Sequence, residues 1–369
     1  MRGVQTSSPA FPHSTELAAD FKRTVPFLRI DTLQRLIDIV LAMISAQNVN
    51  HLKLSPHMPG NSSVEAKKRR VERGVGDEQL TMKVFLALIL TRLPPGKWLL
   101  SLDRTTWDHG KSPMNLLVLG VVMEGYTIPL VWDALEHTGN SDTHTRMWLV
   151  SQLLRVLPAS RWRGLVADRE FIGAEWFRFL RHSRIKRAVR VKKNTRLDGL
   201  RASEWFDDIA QGQYRCLAEK ACVFGEVMQV VATRSPAGDL VLIATDFNVW
   251  DTISLYRRRW SVECTFSSLK SRGFDLERTG MSDPQALERL FGFVVLAWLS
   301  CLQIGVWKSQ HKPIKTLKHG RKAISLPAYG AQYLIHALRW CHDTLPTLLI
   351  LLTQPLFPLG QQKGEVVGY

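Results

Sequence analysis

KWLLSLD (Lys97–Asp103), MNLLVLGVVMEG (Met114–Gly125) and YTIPLVWDAL (Tyr126–Leu135) follow one another closely in this chain. Each is an apolar run of strand length bounded by turn residues, so the pattern predicts three successive strands. GNSDTHTRMWLVSQLLRVL (Gly139–Leu157) comes next, with capping residues ahead of helical spacing. RGLVAD (Arg163–Asp168) reads as a short strand, GAEWFRFLRHS (Gly173–Ser183) as a helix and RIKRAVRVKKN (Arg184–Asn194) as a basic strand.

The order is therefore β-β-β-α-β-α-β. A mixed sheet of three antiparallel strands followed by parallel ones is the ribonuclease-H-like arrangement, although other α/β orders share this coarse pattern. After it, QYRCLAEKACVFGEVMQVVATRS, a PAGD turn and LVLIATDF return to strand character, predicting a β-rich insertion over residues 197–250. Helical patterns dominate afterwards. The division expected is an N-terminal helical, DNA-binding region (1–95), a core in two parts (96–196 and 251–310) around the insertion, and a C-terminal helical region (311–369) suited to dimerisation. Within the first region, residues up to about 17 are Ser/Pro-rich and expected to be disordered. DTLQRLIDIVLAMISAQ (Asp31–Gln47) and DEQLTMKVFLALILTRL (Asp77–Leu93) read as helices, and Pro94-Pro95-Gly96 ends the section.

Composition narrows the function classes. A formal net charge of +16 makes the chain attractive to polyanions, nucleic acid first among them. Five cysteines, an odd number without C-x-x-C spacing, argue against a zinc site or a disulfide framework and for a reducing compartment. The N-terminus lacks the apolar stretch of a signal peptide. Phe291–Trp307 is uncharged over its length but carries Ser300, Gln303 and two glycines, so a buried helix is expected there, not a membrane span.

Asp103 and Asp168 each follow an apolar strand run. A carboxylate at the C-terminal edge of a strand is held rigidly while its oxygens face a crevice. Two such groups can bind hard divalent cations, and a two-metal phosphoryl-transfer site needs about three carboxylates. Glu263, on a later helix, is the candidate for the third. Asp246 also ends an apolar run and stays a rival. Asp108, Asp133, Glu136 and Asp142 lie in or beside turns, where carboxylates usually cap helices or face water.

YRRRWSVECTFSSLK (Tyr256–Lys270) carries Glu263 among four cations. At about 100° per residue, Tyr256, Arg259, Glu263 and Lys270 share one narrow stripe, bordered by Trp260. Leu255, Val262, Phe266 and Leu269 form an adjacent apolar stripe that can dock on the sheet, while Arg257 and Arg258 face away. An Arg259–Glu263 pair at i,i+4 spacing would account for two of these residues by helix stability alone. A metal-binding acid flanked by phosphate-binding cations accounts for all four.

Tyr256-x2-Arg259-x3-Glu263-x6-Lys270 resembles the Y-R-E-K signature of the insertion sequence 4 family of DDE transposases. SLDRTTWDHGKSPMNLLVLGVVMEGYTIPLVWDALEHTGNS resembles that family's first-aspartate region, and GLVADREFIGAEWF its second. The similarity runs from about Leu80 to Tyr329. It implies a ribonuclease-H-like catalytic domain with a β-rich insertion, and it ranks Asp168 above Asp246. Asp103, Asp168 and Glu263 become the expected catalytic and metal-binding triad, with two Mg²⁺ (or Mn²⁺) ions. Tyr256, Arg259 and Lys270 become contacts to phosphate at the cleaved end. The expected reaction is cleavage at terminal inverted repeats through a hairpin, then strand transfer into target DNA. Trp260 matches an aromatic inside the signature; Trp205 and Trp250 are candidates for stabilising a flipped base, with packing as the plainer role for both.

RHSRIKRAVRVKKNTR (Arg181–Arg196), with Arg190, Lys192 and Lys193, and AKKRR in the N-terminal region suit contacts along a duplex, or a merely solvated basic surface. His109 beside Asp103 is read as a turn hydrogen bond, and KTLKHGRKAIS as a contact to DNA or to a second subunit. The partners expected are double-stranded DNA and a second copy of the chain, with no membrane. The expected location is the bacterial cytoplasm, at the nucleoid. Two other functions fit the same residues: a structure-selective nuclease without strand transfer, and a non-catalytic DNA-binding descendant.

Overall fold

The computed structural model describes residues 11–109, 112–270, 273–281, 283–318 and 320–356. Its elements begin with α1 (Ser14–Thr24), α2 (Ile30–Ala46), α3 (His51–Leu54), α4 (Val64–Val75) and α5 (Met82–Leu90). β1 (Trp98–His109), β2 (Ser112–Val122), β3 (Thr127–Ala134), α6 (Thr143–Leu154), β4 (Trp162–Ala167), α7 (Ala174–His182) and β5 (Arg187–Val191) follow. Then come β6 (Arg196–Leu197), β7 (Leu200–Arg201), β8 (Tyr214–Cys216), β9 (Ala221–Val223), β10 (Glu226–Arg234) and β11 (Leu240–Thr245). The last are α8 (Val249–Arg257), α9 (Ser261–Leu269), α10 (Pro284–His311), α11 (Leu326–Trp340) and α12 (Leu345–Leu351). The predicted order β-β-β-α-β-α-β from Lys97 to Asn194 is the order observed.

The described residues form two compact units. One takes in 11–95, 107–114 and 266–356; the other takes in 96–106 and 115–265.

The second unit is organised by a mixed sheet in the order β3-β2-β1-β4-β5-β11-β10-β8, with β9 on β10. β3 lies antiparallel to β2, whereas β1, β4 and β5 run parallel. Parallel neighbours need a crossover, which α7 supplies between β4 and β5. This is a ribonuclease-H-like core. Within the 197–250 span, β11 pairs antiparallel with β5 and β10 with β11, so these strands lengthen the same sheet. Only β6 and β7 stand apart, as a two-stranded ribbon. Asp142 caps α6, accepting from the Thr145 N–H at 2.8 Å, as its place ahead of a helical run predicts.

The first unit is helical, and its core differs from expectation in two places. α1 begins at Ser14, inside the segment read as disordered, because Leu17, Ala18 and Phe21 make a buried stripe. α5 begins only at Met82, since Asp77–Leu80 forms a turn closed by the Leu80 N–H on the Asp77 carbonyl at 3.0 Å. α10 is long and apolar enough to span a membrane, but 94% of its most apolar window is buried within the protein. It is a core helix, as its serine, glutamine and glycines suggested.

α10 and α11 cross through glycines. A Cβ on Gly330 would stand 1.8 Å from the Cys301 carbonyl oxygen, and one on Gly305 1.9 Å from that of Leu326. Helix propensity alone makes Gly→Ala a gain of about 1 kcal/mol. Here the sign should reverse, because backbone cannot yield as a flexible side chain does. Gly330→Ala should destabilise the protein by about 3 kcal/mol or more, read by urea unfolding. A neutral or stabilised variant would show that the helices do not cross there.

Candidate active site

Parallel pairing brings the two aspartates together. Leu102 of β1 is opposite Ala167 of β4. The next residues, Asp103 and Asp168, therefore emerge side by side on one edge of the sheet. Asp168 ends its strand as predicted, and its carbonyl accepts from the Phe171 N–H at 3.0 Å. Asp103 does not end its strand, because β1 continues beside β2 as far as His109. What stops after Leu102 is the pairing with β4. The side chain of His109 lies outside the described residues.

The Glu263 segment departs from a single straight helix. α8 ends at Arg257, a 3-10 turn occupies Arg258–Trp260, and α9 starts at Ser261. A 3-10 turn advances about 120° per residue, so the stripe drawn at 100° is broken there. Three of its members, Tyr256, Arg259 and Glu263, still converge. Arg259 Nη1 donates to Asp103 Oδ2 at 2.5 Å, and Nη2 to Glu263 Oε1 at 2.7 Å. The Tyr256 hydroxyl donates to Asp168 Oδ1 at 3.3 Å, and Arg190 Nη1 lies 3.8 Å from the same oxygen. The apolar stripe is buried at all four positions, Leu255, Val262, Phe266 and Leu269. Leu255 packs in a cluster with Leu99, Val166, Ala188 and Ile243. α9 is pinned to β3 by two bonds from Thr127: its N–H donates to Thr265 Oγ1 at 2.9 Å, and its hydroxyl meets that of Ser261 at 2.6 Å.

Electrostatics follow from this crowding. Asp103 is 13% exposed, and burial pushes its pKa up to about 6; Arg259 and the Arg104 N–H oppose the shift, while Asp168 and Glu170 add to it. Burial also works against the charge on Arg259, yet Asp103, Tyr256, Asp168 and Glu263 outweigh it and raise its pKa. Burial and Asp168 raise the Tyr256 hydroxyl, which stays protonated and able to donate.

The other predicted residues divide by position. Ala167 pairs with Val189, so β5 carries Arg190, Lys192 and Lys193 to the same edge as Asp168, with both lysines exposed. Trp260 is 59% exposed. Trp250 and Trp205 are exposed too, and Trp250 leans on Tyr214 with ring centroids 5.7 Å apart. Lys270 follows the end of α9 and makes its contacts in the helical unit. Its ammonium is 3.4 Å from Glu277 and lies over the Trp107 ring at 5.2 Å. Arg257 is exposed and Arg258 half-buried.

Asp246, the strand-end rival, has another function. β11 runs antiparallel to β5 and so delivers Asp246 to the opposite edge. There it accepts from the Nε of buried Arg187 at 2.6 Å, from Nη2 at 3.0 Å and from the Arg187 backbone N–H at 2.9 Å.

Sequence reasoning passed over a layer of positioning residues. Arg104 donates to Glu170 at 3.0 Å, to Asn115 at 3.1 Å and to Asn140 at 3.3 Å. Asn115 in turn donates to the His137 and Gly139 carbonyls. Arg146 joins the same turns, donating to Ser141 and lying over the Phe171 ring. The available signal was an arginine directly after each aspartate, in SLDR and VADRE, together with the GNS turn. Only Arg104 of the two bonds inward; Arg169 is exposed.

On donor chemistry, the carboxylates suit hard divalent cations, since all three offer only oxygen. Arg259 already serves as the cation between two of them. Among the described residues no three metal-ligating side chains stand close enough to hold an ion as placed.

Residues 94–300, more than half of the chain, match the family model described as the Transposase DDE domain. No curated protein matches the chain. Among solved structures it is similar to a piggyBac transposase in a synaptic complex with hairpin DNA, at 14% identity and a TM-score of 0.46. That match covers 94% of this chain and 79% of the other. It is also similar to an endonuclease V from Bacillus subtilis, at 12% identity and a TM-score of 0.28, covering 51% of this chain and 90% of the other.

Asp103 and Asp246 should respond oppositely to amidation. A group whose folded pKa is raised loses stability as pH climbs from its unfolded value, near 4, through about 6. Asp103→Asn removes that loss, so at pH 7.5 in EDTA its urea midpoint should equal or exceed the parent's. Asp246→Asn leaves Arg187 buried without its carboxylate, which should cost about 3 kcal/mol. Equal destabilisation by both substitutions would contradict this division.

Proposed function

The chain belongs to the transposase DDE domain family, and on that premise we propose that it is the transposase of a bacterial insertion sequence, in the insertion sequence 4 group marked by Y-R-E-K. Family membership makes it a DNA-cleaving and DNA-joining enzyme dependent on divalent metal. The observation that carries the finer reading is that Arg259 of the signature bonds both Asp103 and Glu263 while Tyr256 of the signature bonds Asp168, inside the matched span.

In this reading Asp103, Asp168 and Glu263 would hold two Mg²⁺ or Mn²⁺ ions. When bound, such ions activate water and stabilise charge on the attacked phosphodiester. The chain's own contribution is position. The sheet fixes Asp103 and Asp168, while Thr127 sets the height of the helix bearing Glu263. Arg259 would offer its planar donors to a phosphate. Tyr256 offers a hydroxyl that stays protonated, and Lys270 a third donor. Arg190, Lys192 and Lys193 would extend the phosphate contacts along the carboxylate edge, and exposed Trp260, the aromatic inside the signature, would contact the DNA.

Water first hydrolyses one strand at the terminal inverted repeat, leaving a 3′-OH. That hydroxyl attacks the opposite strand, closing a hairpin, which a second water reopens. The freed 3′-OH then displaces a target phosphodiester. Each step breaks one P–O bond as another forms, so no nucleotide cofactor is consumed. The N-terminal helical region recognises the repeats. Two copies of the chain act on paired ends, in the bacterial cytoplasm at the nucleoid.

The test uses a labelled duplex carrying the element's terminal repeat, Mg²⁺, and supercoiled target. A hairpin on a denaturing gel and a joined product are expected from the parent protein. Glu263→Gln should lose both by several orders of magnitude while still binding the duplex. Cleavage without joining would identify a nuclease. Unchanged cleavage by Glu263→Gln would remove this carboxylate from the site.

A further inference from the structure

The basic run Arg181–Arg196 serves two edges of the sheet. Arg190, Lys192 and Lys193 reach the carboxylate edge, and Arg181, Arg184 and Lys186 stay at the opposite one. From Lys186 to Arg190 the chain advances four residues, roughly 13 Å of strand. At the far edge these three cations, with Arg187, Glu226 and Asp246, line a cavity of about 470 Å³.

Charge in this cavity does not balance. Arg187 is consumed by Asp246, at 2.6 Å, and Arg181 by Glu226, also at 2.6 Å. Two acids are thus matched to two arginines. Arg184 and Lys186 are exposed, and neither forms an ion pair among the described residues. Backbone geometry gives a second, independent observation. Arg184 follows α7 with φ of 57°, the left-handed conformation that closes a helix. Its N–H donates to the Arg181 carbonyl and that of Ile185 to Leu180, both at 2.9 Å. Glycine is favoured at such a position because any Cβ is strained there. An arginine held in that conformation at the rim of a cationic cavity costs the fold something and meets no need of the turn itself.

We propose that this cavity is a second phosphate-binding site, which takes the backbone of duplex DNA on the edge opposite the carboxylates. Exposed rim cations on a continuous edge suit a polyanion, since phosphate contacts position a duplex without reading its sequence. The duplex held there is a different stretch from the one being cut. The proposal rests on the reading of DNA as substrate, and it adds a site to which neither the signature nor the carboxylates point.

The probe is a fluorescein-labelled duplex of arbitrary sequence, about two helical turns long. Binding is followed by anisotropy across a salt series in EDTA. The slope of log affinity against log salt should fall by about 0.9 for each phosphate that a variant no longer neutralises. Arg184→Gly and Lys186→Ala should each show that fall, and together about twice as much. Arg184→Gly should also melt at the parent temperature or above it, separating the loss of charge from damage to the fold. Lys186→Glu, at an exposed position, gives the same reading without touching the turn, and the exchange Arg184→Lys should keep the slope. Parent-like slope and affinity in the double variant would overturn the proposal. Failure of the parent to bind duplex would instead overturn DNA as substrate.

Discussion

Two carboxylates from parallel strands cannot share a sheet edge unless something offsets their repulsion and their loss of water. Here Leu102 opposite Ala167 puts Asp103 and Asp168 next to each other, and burial, with Asp168 and Glu170 adding to it, raises the Asp103 pKa to about 6. The offset is local. Arg259 spans Asp103 and Glu263, and Tyr256 and Arg190 attend Asp168. Strand register, the position of the signature helix and the ionisation of the site are therefore one coupled constraint. Arg259 is the cation that offsets two of the carboxylates. An all-hydrophobic edge would be more stable and inert.

The surroundings transmit the same constraint outward. Leu255 docks the signature segment on the sheet, and Thr127 fastens α9 so that Glu263 faces Arg259. Arg104 ties the Glu170 turn to the Asn140 turn, keeping the residues after Asp168 close to β1. Asp246 shows the complementary case. It resembles Asp103 and Asp168 in sequence, but an antiparallel strand carries it to the other edge, where it neutralises a buried arginine.

Much of this was legible from residue patterns. Strand and helix order followed from periodicity, because each element buries one face. Placement after strands left Asp103, Asp168 and Asp246 alike, and only the family resemblance separated them, whereas the shared helix stripe tied Tyr256 and Arg259 to Glu263. What stayed hidden depends on partners far along the chain. Arg259 meets Asp103 across 156 positions, and Arg104 meets Glu170 across 66. No local period encodes such pairings. The 3-10 turn at Arg258–Trp260 was also hidden, since three consecutive cationic or aromatic residues read equally well as α-helix. Nor could composition tell that β10 and β11 would lengthen the main sheet, because an edge strand pairs as readily with a sheet as with a neighbouring hairpin.

The most direct measurement replaces the native metal with Fe²⁺ and maps where hydroxyl radicals produced at the bound ion cut the polypeptide. Cuts should cluster at three separated places, around Asp103, Asp168 and Glu263, and should fade when Mg²⁺ competes. Cuts centred on Asp246 and Glu226, or spread without preference, would contradict a metal site built from the first three.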